Sequence, residues 1–337
     1  FEPGPWGGTW MRDNIAQLNT EVPNYAWSFE LIVPENGLLL EDKGKMLEIS
    51  FDFLMFQEYQ NILGRAAGRF GFEFPLRFDF LDTFDGGNLS VQVHPKQGYF
   101  VKEFGESFTQ DECYYILDTK NDAHVFLGFN EDIDPEVFRS ELENSLSTST
   151  EIKIEKYVQS LPAKKHDFFL IPNGTIHGSG KDNLVLEISS TPYIFTFKLY
   201  DWLRLDLEGK PRHLNIDRGF KNLNFERKGK IIEQEHISKP ALIDQGADWK
   251  LFHIPTHKEH FYDVHRYEFD KIISVNTQGQ CHILMLVEGT SIILETAKGA
   301  RQRFNFAETF VVPAACENYT LINEGKPTCK VVKAFVK

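Results

Sequence analysis

Leu89-Ser90-Val91-Gln92-Val93-His94-Pro95 alternates apolar and polar residues, and that alternation decides how the chain folds. A period of two sends successive side chains to opposite faces of a strand, so Gln92 and His94 share one face and Val91 and Val93 the other. Two ligand-type side chains on one strand face can point at one ion. Glu112 opens a second strand-like run, Glu112-Cys113-Tyr114-Tyr115-Ile116-Leu117, and His177 follows the turn signal Pro172-Asn173-Gly174. Four ligands carried on separate strands converge only inside a closed or nearly closed sheet, so the chain reads as dominated by β-structure. Two imidazoles, a carboxylate and an amide oxygen suit a borderline divalent ion, zinc best, one per chain, with room left for water or substrate. An open coordination position is the mark of a catalytic site.

Composition fits an ordinary enzyme of 337 residues, long enough for one large domain or two. A hydrophobic content of 42 % with 30 Phe suits aromatic packing between sheets. No run reaches the roughly 18 apolar residues of a membrane-spanning helix, and no basic stretch followed by an apolar core marks a secretion signal. The chain begins at Phe1 instead of Met, as a trimmed chain or a piece of a longer polypeptide does. Cys113, Cys281, Cys316 and Cys329 lack CxxC spacing, which argues against a thiolate zinc site or a disulfide framework and fits a cytoplasmic location. A net charge of −13 disfavours nucleic acid and anionic membranes as partners. A phosphate on a substrate must then meet a local basic cluster.

Along the chain, strands are expected around Trp27 to Val33, with a turn at Pro34-Glu35-Asn36-Gly37. Spacing nearer 3.6 predicts a helix over 52–68 with Gly68 as its stop. Pro135, close behind Asp134, predicts a helix to about Leu146, and a second short helix is expected over 152–161. This helical insert, 134–161, interrupts a barrel. Residues 166–206 return to strand, 207–245 form a crossing segment, and 250–337 give a second set of short strands. Asp167-Phe168-Phe169-Leu170-Ile171-Pro172 is echoed by Glu308-Thr309-Phe310-Val311-Val312-Pro313, but Ala314-Ala315-Cys316 then stands where the first half leads to His177. The second half therefore reads as metal-free. His253, His257, His260 and His265 lie on a polar segment with no zinc spacing, and Gly64, Gly68 and Gly71 follow a helix, so neither group reads as a site.

LSVQVHP (89–95), DECYYILD (111–118) and DFFLIPNGTIHGSG (167–180) resemble the class I mannose-6-phosphate isomerases, zinc-dependent cupin proteins. PWGGTW (5–10), LEISSTP (186–192), FKLYDWLRLD (197–206) and ETFVVPAA (308–315) extend the resemblance over essentially the whole chain. It implies two cupin-type jelly-roll barrels with a small helical insert, a catalytic domain over 1–240 and a metal-free domain over 241–337. It also implies a zinc-dependent isomerase that turns mannose 6-phosphate into fructose 6-phosphate through a metal-stabilised enediolate, acting as a monomer or homodimer. A non-catalytic or regulatory cupin that binds a sugar or sugar phosphate is the alternative, and an iron cupin is disfavoured by Gln92.

Such chemistry needs a base, and Glu187 alternates away from Leu186 and Ile188 to face a cavity, as base or as partner to a ligand histidine. Lys96, Lys198 and Arg204 are the basic residues suited to a phosphate, with Ser90 as a hydroxyl donor. Lys198 stands where the family carries a catalytic arginine, and alternation is expected to put it on a face with Tyr200 and Trp202. Asp79 stands near a family lysine, and Tyr25 and Ala26 where a glutamate precedes the tryptophan. These departures touch the substrate shell and leave the metal residues intact.

Overall fold

The computed structural model describes residues 1–30, 37–190 and 195–337, so Pro34-Glu35-Asn36 of the turn expected at Pro34-Glu35-Asn36-Gly37, the run from Leu31 to Val33 and the Thr191-Pro192 end of the LEISSTP motif lie outside the described residues. Two pairs of antiparallel sheets are built in the same strand order. In the first pair, Trp27–Glu30, Arg77–Asp82, Asn183–Ser190, Asp111–Thr119 and Phe168–Ile171 lie side by side in one sheet. The other sheet runs Phe197–Tyr200, Val91–Val93, His177–Ser179, His124–Phe129, Val158–Pro162. In the second pair the order is Ala241–Gln245, Trp249–Ile254, Tyr262–Phe269, Cys329–Val336, His282–Glu288, Thr309–Val312. Its other sheet runs Ile272–Asn276, Asn318–Asn323, Ser291–Thr296, Arg301–Asn305. Setting aside the added edge strands Phe197–Tyr200 and Ala241–Gln245, the two orders coincide strand for strand. Double-sheet packing of this kind is a jelly-roll barrel, and the echo between 167–172 and 308–313 falls on corresponding strands.

Alternation fills each interior. Tyr114, Ile116, Val125, Leu127, Phe169, Ile171 and Val185 form the core of the first barrel, and Tyr267, Phe269, Leu284, Leu286, Phe310 and Val331 that of the second. The opposite face of the first barrel, carrying Val91 and Val93, packs against Phe129, Phe138, Leu142 and Ile216. Helix Pro135–Thr148 supplies part of that layer. Its start is fixed by Asp134, whose carboxylate accepts from the backbone N–H of Glu136 at 3.0 Å and Val137 at 3.1 Å. The helix lies in the connection between His124–Phe129 and Val158–Pro162, which pair with each other. The second helix expected over 152–161 is absent: a short turn at Ile154–Lys156 leads into strand Val158–Pro162, because pairing with His124–Phe129 outweighs local helical preference.

Contacts divide the chain into one unit of Phe1–Ser28 with Asp79–Ser238 and another of Phe29–Phe78 with Lys239–Lys337. Residues 29–78 thus group with the C-terminal strands, where the sequence reading had them inside a domain of 1–240. Within that unit Arg65 N–H donates to Gly279 O at 2.9 Å, and the rings of Phe70 and Phe261 lie 4.9 Å apart. The helix read over 52–68 is Phe51–Leu63, and Gly64 ends it in place of Gly68. Gly64 has φ +57°, a conformation that a side chain resists, and its N–H donates to Gln60 O. The segment 207–245 contains helices Ile216–Asn222 and Lys230–Glu235 and reaches into strand Ala241–Gln245. No described helix is long and apolar enough to cross a membrane.

Candidate functional site

His177 pairs with Gln92 across adjacent strands, and Glu112 lies on the facing sheet of the same barrel. His94, Glu112 and His177 are 1 %, 0 % and 0 % exposed, and their ligand atoms all lie within 4.8 Å of one another. Among the described residues they are the only His, Cys, Asp or Glu group close enough to share a metal. His94 Nε2 stands 3.0 Å from one Glu112 oxygen and His177 Nε2 stands 2.8 Å from the other.

The far side of each imidazole decides what lies between them. His94 Nδ1 sits 3.0 Å from Phe195 O, and His177 Nδ1 sits 2.9 Å from Thr175 O. A backbone carbonyl can only accept, so each Nδ1 carries the proton, and both neutral rings turn bare Nε2 lone pairs toward a carboxylate. Lone pairs that face one another at hydrogen-bond distance in a dry interior repel unless a cation sits between them. A proton can do this: burial opposes a charge on His94, but Glu112 outweighs burial and raises its pKa, while Glu112, despite burial, is held far below the usual carboxylate range by the two histidines. A divalent ion does it better, because one ion satisfies all three groups at once.

Gln92 completes the ring of donors. Its amide nitrogen is 3.3 Å from His177 Nε2, and its oxygen accepts from Ser90 Oγ at 2.9 Å. Ligation of an ion needs the oxygen inward, which a half-turn of the amide provides; its NH2 then donates to Ser90 Oγ. The residues present therefore fit a metal, and Ser90 orients the Gln92 amide.

The support around the site was mostly invisible in the sequence. Arg227 Nη1 donates to Pro172 O at 2.9 Å, to Asn173 O at 2.5 Å and to Thr175 Oγ1 at 2.7 Å, clamping the loop that delivers His177. Asp111 holds the same loop by accepting from the Asn173 N–H at 2.7 Å. Gly178 passes so close to the Ser90 backbone that a Cβ would stand 2.7 Å from Ser90 O. Gln110 Nε2 donates to Glu112 and to Glu187, each at 3.3 Å, and so links the two carboxylates. Gln110 and Tyr114 flank Glu112 at a spacing of two, a periodicity that could have found both. The Tyr114 hydroxyl is pushed well up by burial and by the negative charges of Glu112 and Glu187.

Glu187 is 7 % exposed, on the interior face, opposite Tyr114. Lys198 is the cross-strand partner of Gln92 and so shares its interior face. Tyr200 does not share that face. A bulge between Lys198 and Tyr200 pairs Tyr200 with Val91, and Tyr200 packs with Val91 in the opposite core, so the expected face of Lys198, Tyr200 and Trp202 is corrected. Trp202 packs at the same layer and donates its indole N–H to Leu89 O.

Lys198 belongs to a basic cluster. Burial lowers its pKa, helped by Arg212 and Arg204 and opposed by Asp201. Arg212 lies 2.5 Å from one Asp201 oxygen and Arg204 lies 3.6 Å from the other, while Arg204 also donates to Asn88 O. Three cations meet one carboxylate, so the cluster carries excess positive charge in a chain of net charge −13. Arg212, stacked 4.5 Å over the Trp6 ring, was missed in the sequence because nothing in Pro211-Arg212-His213 marks it. Lys96 is occupied elsewhere: its Nζ donates to Leu223 O at 2.9 Å.

No protein-family profile matches the chain. Among curated proteins, mannose-6-phosphate isomerase ManA of Bacillus subtilis (strain 168) is 30 % identical over 220 residues, which cover 65 % of this chain and 64 % of ManA. Probable mannose-6-phosphate isomerase GmuF of the same organism is 24 % identical over 325 residues, 95 % of this chain and 93 % of its own length. The solved structure of the mannose 6-phosphate isomerase from Bacillus subtilis superposes with a TM-score of 0.77 at 20 % identity, covering 99 % of this chain and 96 % of that one. At that identity the structural likeness establishes the fold, two cupin-type barrels.

Proposed function

We propose that the chain is a member of the class I mannose-6-phosphate isomerase family, and that it is a metal-dependent aldose–ketose isomerase acting on mannose 6-phosphate to give fructose 6-phosphate. The observation that carries the reading is the pair of bare imidazole nitrogens facing Glu112 at 3.0 and 2.8 Å in a dry barrel. Gln92, His94, Glu112 and His177 would hold the ion, zinc by the chemistry of its donors, which supplies Lewis-acid polarisation of the sugar's oxygens.

The chain's own residues account for the proton transfers and for binding. Glu187 takes the proton from C2 of the open-chain aldose and returns it to C1; the electron pair passes through an enediolate, and the hydroxyl proton moves from O2 to O1. Gln110, hydrogen-bonded to both Glu112 and Glu187, keeps the base beside the metal residues. Lys198, on the face of Gln92, stabilises the negative charge that develops on the sugar oxygens. Arg204 and Arg212 receive the phosphate, with Asp201 holding both guanidinium groups in place. Lys96 and Ser90 serve as props for the loop and for Gln92.

The test is turnover of mannose 6-phosphate by the chelator-treated chain before and after zinc is restored. Activity that disappears and returns supports the reading. A metal-loaded chain that turns over no hexose or pentose phosphate would make the barrel a sugar-binding cupin.

A further inference from the structure

The matching strand order lets interior positions of the two barrels be equated residue by residue. In the first, Glu112 pairs with Ile171, the residue before Pro172, and two positions further along Tyr114 pairs with Glu187. In the second, His282 pairs with Val312, the residue before Pro313, and two positions further along Leu284 pairs with Lys333. The second barrel therefore has an imidazole where the first has one carboxylate, and an ammonium where it has the other.

Lys333 is 6 % exposed, yet among the described residues no hydrogen bond or ion pair engages its Nζ. Aromatic faces flank it, Phe335 at 4.5 Å and Tyr267 at 5.4 Å. Burial lowers its pKa to about 8, against the pull of Asp263, so the ammonium persists at neutral pH. A buried charge with no hydrogen-bonded counter-ion is costly, and a bound anion that reaches Nζ would offset that cost. Its cross-strand partner His265 also leaves Nδ1 without a hydrogen bond. Burial drives His265 to about 4 and His282 to about 3, so both rings are neutral at neutral pH and able to donate an N–H. His282 is satisfied by the Tyr319 hydroxyl at 3.0 Å, leaving His265 as the free donor. Asp263 has its own partner in His253 at 2.8 Å, and these two residues and His265 are partly exposed, so Lys333 lies just beneath an accessible rim. No metal cluster occurs there among the described residues, and an ammonium repels cations.

We propose that the second barrel binds a small oxyanion, a carboxylate or phosphate group, on Lys333 and His265. The site stands on the second barrel alone and does not depend on the isomerase reading. It is tested on the full chain with lysines labelled at Cε with carbon-13, using inorganic phosphate and acetate as separate probes, in a Lys198→Met background that removes the resonance of the half-buried lysine in the first barrel's basic cluster. One resonance, identified by its loss in Lys333→Arg, shifts saturably with at least one probe; phosphate alone marks a phosphate site and acetate alone a carboxylate site. A Lys333 resonance that moves with neither overturns the proposal. Calorimetry on folded Lys333→Met should show affinity for the effective probe weakened by about tenfold or more, as loss of a charge-assisted contact requires. Equal affinity in that variant would also overturn it.

Discussion

The two barrels share a strand order and differ in the charges they bury. At corresponding positions the first has Glu112 and Glu187 and the second His282 and Lys333. Strand pairing dictates which positions face inward, and the residues placed there dictate which ions the interior accepts. The first barrel gathers two imidazoles around a carboxylate, a donor set suited to a cation, while the second buries an ammonium at the corresponding depth. A repeat of the fold is therefore not a repeat of the site.

The largest expected effect breaks the first barrel. His177→Ala removes one of two imidazoles; loss of a mere supporting contact to a ligand costs roughly 10- to 100-fold, so loss of the ligand itself should cut turnover by more than about 100-fold. Kinetics on mannose 6-phosphate measure this, and activity near that of the unmodified chain would remove the first barrel's claim to the chemistry.

The next effect belongs to the second barrel. Lys333 titrates at about 8 in the fold against 10.5 unperturbed. Its folded pKa is depressed, so between those values the unfolded chain holds more protons, and stability rises as pH climbs from 8 toward 10.5. The gain is at most roughly 3 kcal/mol, from about 1.4 kcal/mol per pKa unit. Urea unfolding at pH 8 and pH 10, in the chain and in Lys333→Met, should show the rise only in the former. Parallel curves would mean that Lys333 is well solvated.

Lys198→Met comes third. Loss of one charge-assisted contact is worth about 1.5–3 kcal/mol, so kcat/KM should fall roughly 10- to 100-fold. Metal content should stay unchanged, which separates Lys198 from the ligands; unchanged kinetics would make it a bystander. The smallest effect tests the insert: the first barrel carries helix Pro135–Thr148 between strands that in the second are joined by a short turn. Asp134→Ala should destabilise the helix by about 1 kcal/mol. Hydrogen exchange should quicken in 135–148 and not in the second barrel.

Much of this contrast was legible in the sequence. Alternation in Leu89 to His94 put Gln92 and His94 on one face, and the structure brings both against His177. The Phe169 to Pro172 echo in 310–313 located corresponding strands. What failed depended on geometry that periodicity does not carry. The bulge after Lys198 turned Tyr200 to the other face, and Gly64 stopped a helix assigned to Gly68. Arg212, Arg227 and Lys333 look like surface residues in a linear reading; only their strand or loop partners show them buried or clamped.

The central claim is that the charge of each interior decides what it binds. Elemental analysis of the metal-stripped chain, loaded with excess zinc and desalted, tests it most directly alongside Glu112→Gln and Lys333→Met. The account predicts about one ion per chain in the parent and in Lys333→Met, and close to none in Glu112→Gln, where shape is kept and the central charge is gone. Two ions in the parent, or a full ion retained by Glu112→Gln, would contradict it.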